Sequence, residues 1–146
     1  MRRMSTSKAK RDSVHILIID DEPGVRLVLT EALAADGYFV YLADGANVDE
    51  CLKERQYDLI ITDLKMSGKD GLEIMALAKE KSPETKLIMI TGYPSEESLQ
   101  LCSELGVSRY LVKPFSIKEL RQVTKDVLRG KSSLVSSGGS GNADKC

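Results

Sequence analysis

The chain has 146 residues, 42% of them hydrophobic and 29% charged, a composition typical of one ordinary globular domain. Its formal net charge is −1, so no overall basic charge favours direct nucleic-acid binding. Three scattered cysteines and one histidine form no zinc-binding set and favour a reducing, cytoplasmic setting. No apolar stretch approaches the roughly 20 residues of a membrane span, so membrane insertion is not predicted.

Composition divides the chain into three segments. Residues 1–11 form a basic head, residues 12–130 carry the pattern of a folded domain, and residues 131–146 are rich in serine and glycine. Such a tail is typical of a flexible segment, and a solvated head is favoured over one that binds a membrane or an acidic partner. A signal peptide is not predicted, because the apolar run after the head is shorter than the roughly 7–15 residues required.

Short aliphatic runs alternate with helical patterns along the folded segment. The predicted strands are residues 14–19, 38–43, 58–62, 86–90 and 109–112. Several of these runs are continuously apolar, which is typical of a parallel sheet covered by helices on both faces. Five strand–helix units with right-handed crossovers predict an α/β fold, a doubly wound three-layer sandwich.

Capping patterns mark the expected helix boundaries. Two capping boxes, each an oxygen acceptor followed three residues later by glutamate, begin at Asp70 and Ser116. Three glycines occupy positions where a left-handed residue would end a helix, namely Gly37, Gly106 and Gly130. One face of the last helix is predicted to pack on the sheet, formed by Ile117, Leu120, Thr124 and Val127.

Polar side chains stand at the carboxyl ends of four predicted strands. Asp20 and Asp21 follow the first strand, Asp63 the third, Thr91 the fourth and Lys113 the fifth. In a doubly wound sheet these ends meet at one rim, where ligands bind. Three carboxylates there would repel each other unless they were protonated or paired with a cation, and Mg²⁺ binds such oxygen ligands. A cation, a lysine and a hydroxyl around carboxylates suit phosphoryl transfer, whose charge lies on peripheral oxygens.

Each of these residues also has a purely structural interpretation. An aspartate between a strand and a helix is more often an N-cap, so the first two aspartates taken alone favour capping. Thr91 taken alone favours a turn, and Lys113, which precedes a proline, favours an exposed residue in extended backbone. Asp63 is harder to explain in this way, because the next helix is predicted to begin only near Asp70. Their joint position at one rim favours a functional site.

Four motifs at these strand ends resemble the receiver domains of two-component response regulators. They are Ile18-Ile19-Asp20-Asp21-Glu22-Pro23, Ile61-Thr62-Asp63-Leu64-Lys65-Met66, Ile90-Thr91-Gly92 and Tyr110-Leu111-Val112-Lys113-Pro114-Phe115. The resemblance covers residues 12–130. It implies a flavodoxin-like fold, with five helices around a five-stranded parallel sheet in the order 2-1-3-4-5.

The resemblance also implies how the chemistry is divided among these residues. Asp63 would accept a phosphoryl group from a phosphohistidine of a sensor histidine kinase or a histidine phosphotransfer protein. Mg²⁺ would be bound directly by Asp21 and Asp63, mainly through water by Asp20, and by the backbone carbonyl of Lys65. The domain would catalyse only its own phosphorylation and dephosphorylation.

A phosphorylation switch is the further implication of the resemblance. Thr91 and Lys113 would contact the phosphoryl oxygens, and Tyr110 would turn inward as Thr91 moves, although the sequence alone favours a half-buried strand residue at position 110. This would change a surface built from the fourth helix, the fifth strand and the last helix, and so regulate a protein partner. The domain would act as a monomer or a phosphorylation-dependent dimer. Ser67 replaces a proline common in the family, which predicts a looser loop after Asp63.

Three alternatives stay open at this point. The chain is either a stand-alone receiver or the receiver portion of a longer response regulator. A Mg²⁺ phosphatase with an aspartyl-phosphate intermediate would use similar chemistry, although Asp20 and Asp21 are adjacent and residues 12–130 leave no room for a cap domain. A binding module that never accepts phosphate is the third alternative, and the intact site positions argue against it.

Overall fold

The computed structural model of the protein describes residues 13–66 and 69–130. The predicted basic head at residues 1–11 and the predicted serine–glycine tail at residues 131–146 lie outside the described residues. The predicted effect of Ser67 also falls outside them.

Seven strands occur in the described part of the chain. In chain order they are β1 (His15–Ile19), β2 (Phe39–Ala43), β3 (Leu59–Asp63), β4 (Lys65–Met66), β5 (Lys69–Asp70), β6 (Lys86–Thr91) and β7 (Arg109–Val112). The two-residue strands β4 and β5 form an antiparallel pair that was not predicted. The other five strands form one parallel sheet in the order β2-β1-β3-β6-β7, which confirms the predicted order.

Helices cover both faces of this sheet. Those in the described residues are α1 (Pro23–Ala35), α2 (Val48–Glu54), α3 (Gly71–Lys81), α4 (Glu96–Leu105) and α5 (Ile117–Leu128). Ile16 and Ile18 of β1 pack with α1 and α5, whereas Leu17 and Ile19 pack with α2, α3 and α4. Successive side chains of each strand therefore enter two separate apolar cores, which is why the strands are apolar throughout.

The predicted caps form, and the helices differ from the predictions at two points. Asp70 accepts a hydrogen bond from the N–H of Leu72, and Ser116 accepts one from the N–H of Glu119. The three predicted C-terminal glycines have positive φ, 94° at Gly37, 80° at Gly106 and 89° at Gly130. The first difference is that Asp70 bonds the N–H two residues on, not that of Glu73.

The second difference concerns the packing face of α5. Ile117 was predicted to pack on the sheet, but 38% of it is exposed, because it is the first residue of the helix and precedes the turn that contacts the sheet. Val123 is buried in its place. The face toward the sheet is therefore formed by Leu120, Val123, Thr124 and Val127.

Candidate functional site

One lysine and three carboxylates meet where β1, β3 and β7 end. The Nζ atom of Lys113 lies 3.0 Å from Oδ2 of Asp63, 3.1 Å from Oε1 of Glu22 and 3.7 Å from Oδ2 of Asp20. One carboxylate oxygen from each of the three acids lies within 4.8 Å of the others. We call Asp20, Glu22, Asp63 and Lys113 the acid–lysine cluster.

Asp20 is the buried member of this cluster. Its Oδ1 accepts a hydrogen bond of 2.8 Å from the N–H of Glu22, whereas its Oδ2 has no hydrogen-bond partner in the described part of the chain. Burial raises the pKa of Asp20, and the charges of Asp63 and Glu22 raise it further, against lowering by the Glu22 N–H and Lys113. The negative charge of the Asp20 carboxylate is therefore only partly balanced by the neighbouring N–H and ammonium groups.

Lys113 is the cation that holds the acids together. Burial lowers the pKa of its ammonium group, but hydrogen bonds to Asp63 and Glu22 and the charge of Asp20 raise the pKa on balance. The ammonium group is therefore stabilised in its charged form by an excess of negative charge around it.

Glu22, which the sequence did not single out, belongs to the acid–lysine cluster. Asp21 is not among the three acids that converge; its Oδ1 accepts a hydrogen bond of 3.2 Å from the N–H of Gly45. The interpretation of the aspartate pair as helix N-caps is wrong, because Glu22 occupies the N-cap position of α1. Glu22 was missed as a site residue, although it directly precedes Pro23, whose fixed φ marks the start of a helix.

Thr91 and Lys65 border the cluster at the ends of neighbouring strands. Thr91 is buried, and its Oγ1 accepts a hydrogen bond of 2.9 Å from the N–H of Tyr93, so its hydroxyl organises a turn. Its carbonyl accepts one of 2.8 Å from the N–H of Lys113, which ties β6 to the lysine. The N–H of Lys65 donates to Oδ1 of Asp63 at 3.3 Å.

Tyr110 lies inside the protein, and the half-buried interpretation of this residue is wrong. Only 5% of it is exposed. Its hydroxyl group forms a hydrogen bond of 2.7 Å with Oγ of Ser98 and accepts a longer one of 3.4 Å from the N–H of Ser95. Buried Ser98 of α4 and the N-cap residue Ser95 therefore satisfy the polar end of this side chain, a contact that the strand pattern of β7 did not reveal.

The acid–lysine cluster is compatible with Mg²⁺. Magnesium prefers hard oxygen ligands, retains several waters and uses one or two carboxylates. Converging carboxylate oxygens, one of which is buried on Asp20 without a hydrogen-bond partner, meet this requirement. A divalent cation would also relieve the repulsion among the acids.

Asp20→Asn should stabilise the protein in the absence of metal. Because the pKa of Asp20 is raised in the folded state, its ionised form costs stability at neutral pH. We expect the free energy of unfolding to rise by roughly 1 kcal/mol, the scale of one imperfectly paired buried group. The gain should be fully present above the raised pKa and should disappear as pH falls below the ordinary value of 3.8.

Urea denaturation in EDTA at several pH values measures this difference. Asp49→Asn on the exposed side of α2 is the matched control and should not raise stability. Added Mg²⁺ should stabilise the unaltered protein more than Asp20→Asn. A loss of stability for Asp20→Asn in EDTA would contradict the electrostatic account of the cluster.

Fold and site together define a doubly wound α/β domain with a ligand site at the carboxyl ends of its strands. A family model described as the response regulator receiver domain matches residues 16–125. The chain belongs to this family and is a receiver domain of two-component signalling. None of the helices in residues 13–66 and 69–130 has the length and apolar character to span a bilayer.

Known relatives agree with this assignment. The chain is 34% identical over 118 residues to Sporulation initiation phosphotransferase F of Bacillus subtilis, covering 80% of this chain and 95% of the relative. A CheY-like receiver domain protein from Methanospirillum hungatei has a TM-score of 0.78 at 27% identity, covering 82% and 96% of the two chains. The chemotaxis response regulator CheY4 of Vibrio cholerae has a TM-score of 0.72 at 27% identity, covering 79% and 98%.

Proposed function

We propose that this receiver is a phosphorylation-dependent switch in which Asp63 accepts a phosphoryl group from phosphohistidine. The donor is a histidine kinase or a histidine phosphotransfer protein. The observation that carries the proposal is the position of Asp63, which ends the central strand with its carboxylate 3.0 Å from Lys113 Nζ and beside two further acids. Similarity to a sporulation phosphotransferase also supports phosphoryl transfer.

In the proposed reaction a carboxylate oxygen of Asp63 forms a bond to phosphorus while the phosphorus–nitrogen bond of phosphohistidine breaks. The histidine nitrogen keeps the electron pair of that bond, and the product is an acyl phosphate on Asp63. Lys113 would neutralise charge on the phosphoryl oxygens, and Thr91 would donate its hydroxyl to them after leaving its turn. The chain then has mainly to position reactants and balance charge.

We propose that Mg²⁺ is held at the same rim. Asp20 and Asp63 are the candidate ligands in the cluster, and Asp21 and the carbonyl of Lys65 are candidates by family resemblance. When bound, the ion would supply positive charge against both the carboxylates and the incoming phosphoryl group. Glu22 lies in the same group of oxygens and is a further candidate.

The proposed output surface is formed by α4, β7 and α5, and its partner is a downstream protein. The domain would act as a monomer or as a phosphorylation-dependent dimer. Thr91 and Tyr110 would connect this surface to the site, since a phosphoryl group shifts the equilibrium between two conformations only through contacts that differ between them.

Free thiols at Cys51 and Cys102 suit a reducing compartment, and we place the protein in the cytoplasm on that ground.

Labelling with acetyl phosphate tests the proposed function. The protein should gain one phosphoryl group in Mg²⁺ and none in EDTA, and mass spectrometry should locate it on the peptide that contains Asp63. A constitutive binding module would remain unlabelled under both conditions. A phosphatase would instead hydrolyse small phosphate esters with steady turnover, which we do not expect. Labelling at another residue would overturn the proposal.

Ser98→Ala should release Tyr110 from its inward position. The substitution removes the buried hydroxyl that lies 2.7 Å from the tyrosine hydroxyl. Loss of one hydrogen bond of about 1 kcal/mol corresponds to roughly a fivefold shift toward outward conformations. NMR of the Tyr110 ring and its rate of chemical nitration measure this shift. Ser103→Ala, on the exposed side of α4, is the control, and equal nitration of both variants would contradict the prediction.

A further inference from the structure

We infer that Gly71 is a positioning residue for Asp63, and this inference rests on the proposed function. Gly71 is the first residue of α3, the helix that follows the phosphoacceptor loop. Its missing side chain allows the start of α3 to lie against the backbone of Asp63. The residue would act through the position of Asp63 and would not contact the phosphoryl group itself.

The space around Gly71 leaves no room for a methyl group. A Cβ atom at this position would lie 2.3 Å from the carbonyl oxygen of Asp63 and 2.9 Å from Cα of Leu64. The first distance is about 1 Å shorter than the 3.4 Å at which ordinary van der Waals contact begins. Both neighbouring atoms belong to the backbone, so no side chain can rotate away to relieve the overlap. Either α3 or the end of β3 must move.

Hydrogen bonds transmit such a movement to the site. The N–H of Gly71 donates to the carbonyl of Leu64 at 2.8 Å, and the N–H of Leu64 donates to the carbonyl of Ile90 at 2.8 Å. The start of α3, the residue after Asp63 and β6 therefore form one connected unit. Because the carboxylate of Asp63 lies 3.0 Å from Lys113 Nζ, a backbone shift approaching 1 Å would change the contact on which charge balance depends.

Gly24 in α1 provides the contrasting case. Nothing lies within 4 Å of a Cβ built at Gly24, and neither glycine has a φ in the left-handed region. Helix propensity alone would favour alanine over glycine at both positions. Gly24 is exposed, whereas Gly71 is buried against the backbone of Asp63 and Leu64, so a different response to alanine reports the effect of this close packing.

The test compares Gly71→Ala, Gly24→Ala and Met75→Ala in the full chain with acetyl phosphate as donor. Met75 is fully buried in α3, so its truncation weakens the packing of the helix without adding an atom beside Asp63. Circular dichroism and thermal melts are used to choose an assay temperature at which all variants are folded. At that temperature the labelling rate and, by calorimetry, the affinity for Mg²⁺ alone are measured.

We expect Gly71→Ala to slow labelling by about tenfold or more, since a misplacement near 1 Å can cost up to about 100-fold. Its affinity for Mg²⁺ should fall as well, whereas Gly24→Ala and the folded Met75→Ala should resemble the unaltered protein in both measurements. The inference is overturned if Gly71→Ala labels within twofold of the unaltered protein, or if Met75→Ala loses labelling equally. Labelling of the unaltered protein at Asp63 tests the proposed function, not the role of Gly71. If the unaltered protein is not labelled there, the proposed function is wrong.

Discussion

Asp63→Asn should abolish phosphoryl labelling while leaving the fold intact. An amide has the shape of the carboxylate but is not a useful nucleophile, so the rate with acetyl phosphate should fall by at least about 1,000-fold. The substitution removes the closest acidic partner of Lys113 and also removes one charge from three crowded acids. These two effects oppose each other, and we expect the melting temperature to change by less than about 4 °C.

Asp70→Asn is the matched control for this variant. Asp70 lies seven residues further along the chain and caps α3 through its side chain. Asparagine caps helices as well as aspartate does, so the control loses one negative charge but keeps the structure. It should be labelled at the rate of the unaltered protein. Persistent labelling of Asp63→Asn would show that another residue accepts the phosphoryl group.

Lys113→Ala should impair both stability and labelling, and Mg²⁺ should separate the two effects. Without Lys113, three carboxylates within 4.8 Å of one another lose their common cation. Breaking a fully buried ion pair costs about 3–5 kcal/mol. Because 22% of the Lys113 side chain is exposed, we expect a smaller loss, about 1–3 kcal/mol, in EDTA. Labelling should slow by about 100-fold to 1,000-fold, the cost of one preorganised charge-stabilising group.

Saturating Mg²⁺ should restore much of the lost stability of Lys113→Ala but little of its labelling rate. A divalent cation can replace the lysine as a counter-charge for the carboxylates, but it cannot also supply the ammonium group to the phosphoryl oxygens. Denaturation with and without Mg²⁺, combined with labelling kinetics, distinguishes these roles. Lys118→Ala, an exposed lysine in the first turn of α5, is the control for charge alone. Equal recovery of stability and rate would contradict separate roles for Lys113 and the metal.

The fold could be predicted because its signals are local and repeated. Runs such as residues 16–19 and 87–90 are apolar on both faces, and only a sheet covered on both sides buries them. Gly37, Gly106 and Gly130 marked the ends of helices, as their positive φ values confirm. The short pair β4–β5 was not predictable in the same way, because two-residue strands leave no periodic pattern to detect.

The candidate site was only partly predictable. Asp20, Asp63 and Lys113 converge because parallel strands end at one rim, a property of topology that the order of elements implies. Glu22 joins them because α1 begins one residue later and places its side chain toward Lys113 at 3.1 Å. Asp21 instead accepts a hydrogen bond from Gly45. Adjacent acids look alike in a sequence, and the direction of the chain at the turn separates them.

The sequence by itself determined the class of fold, the order of strands and the types of residue at the rim, because periodicity, capping and strand ends are encoded locally. Only the tertiary structure decided which carboxylates share Lys113, that Tyr110 is bonded to Ser98 inside the protein, and that Gly71 lies against Asp63. These are contacts between segments distant along the chain or across a turn. They depend on differences of an ångström or less, which no local pattern of residues specifies.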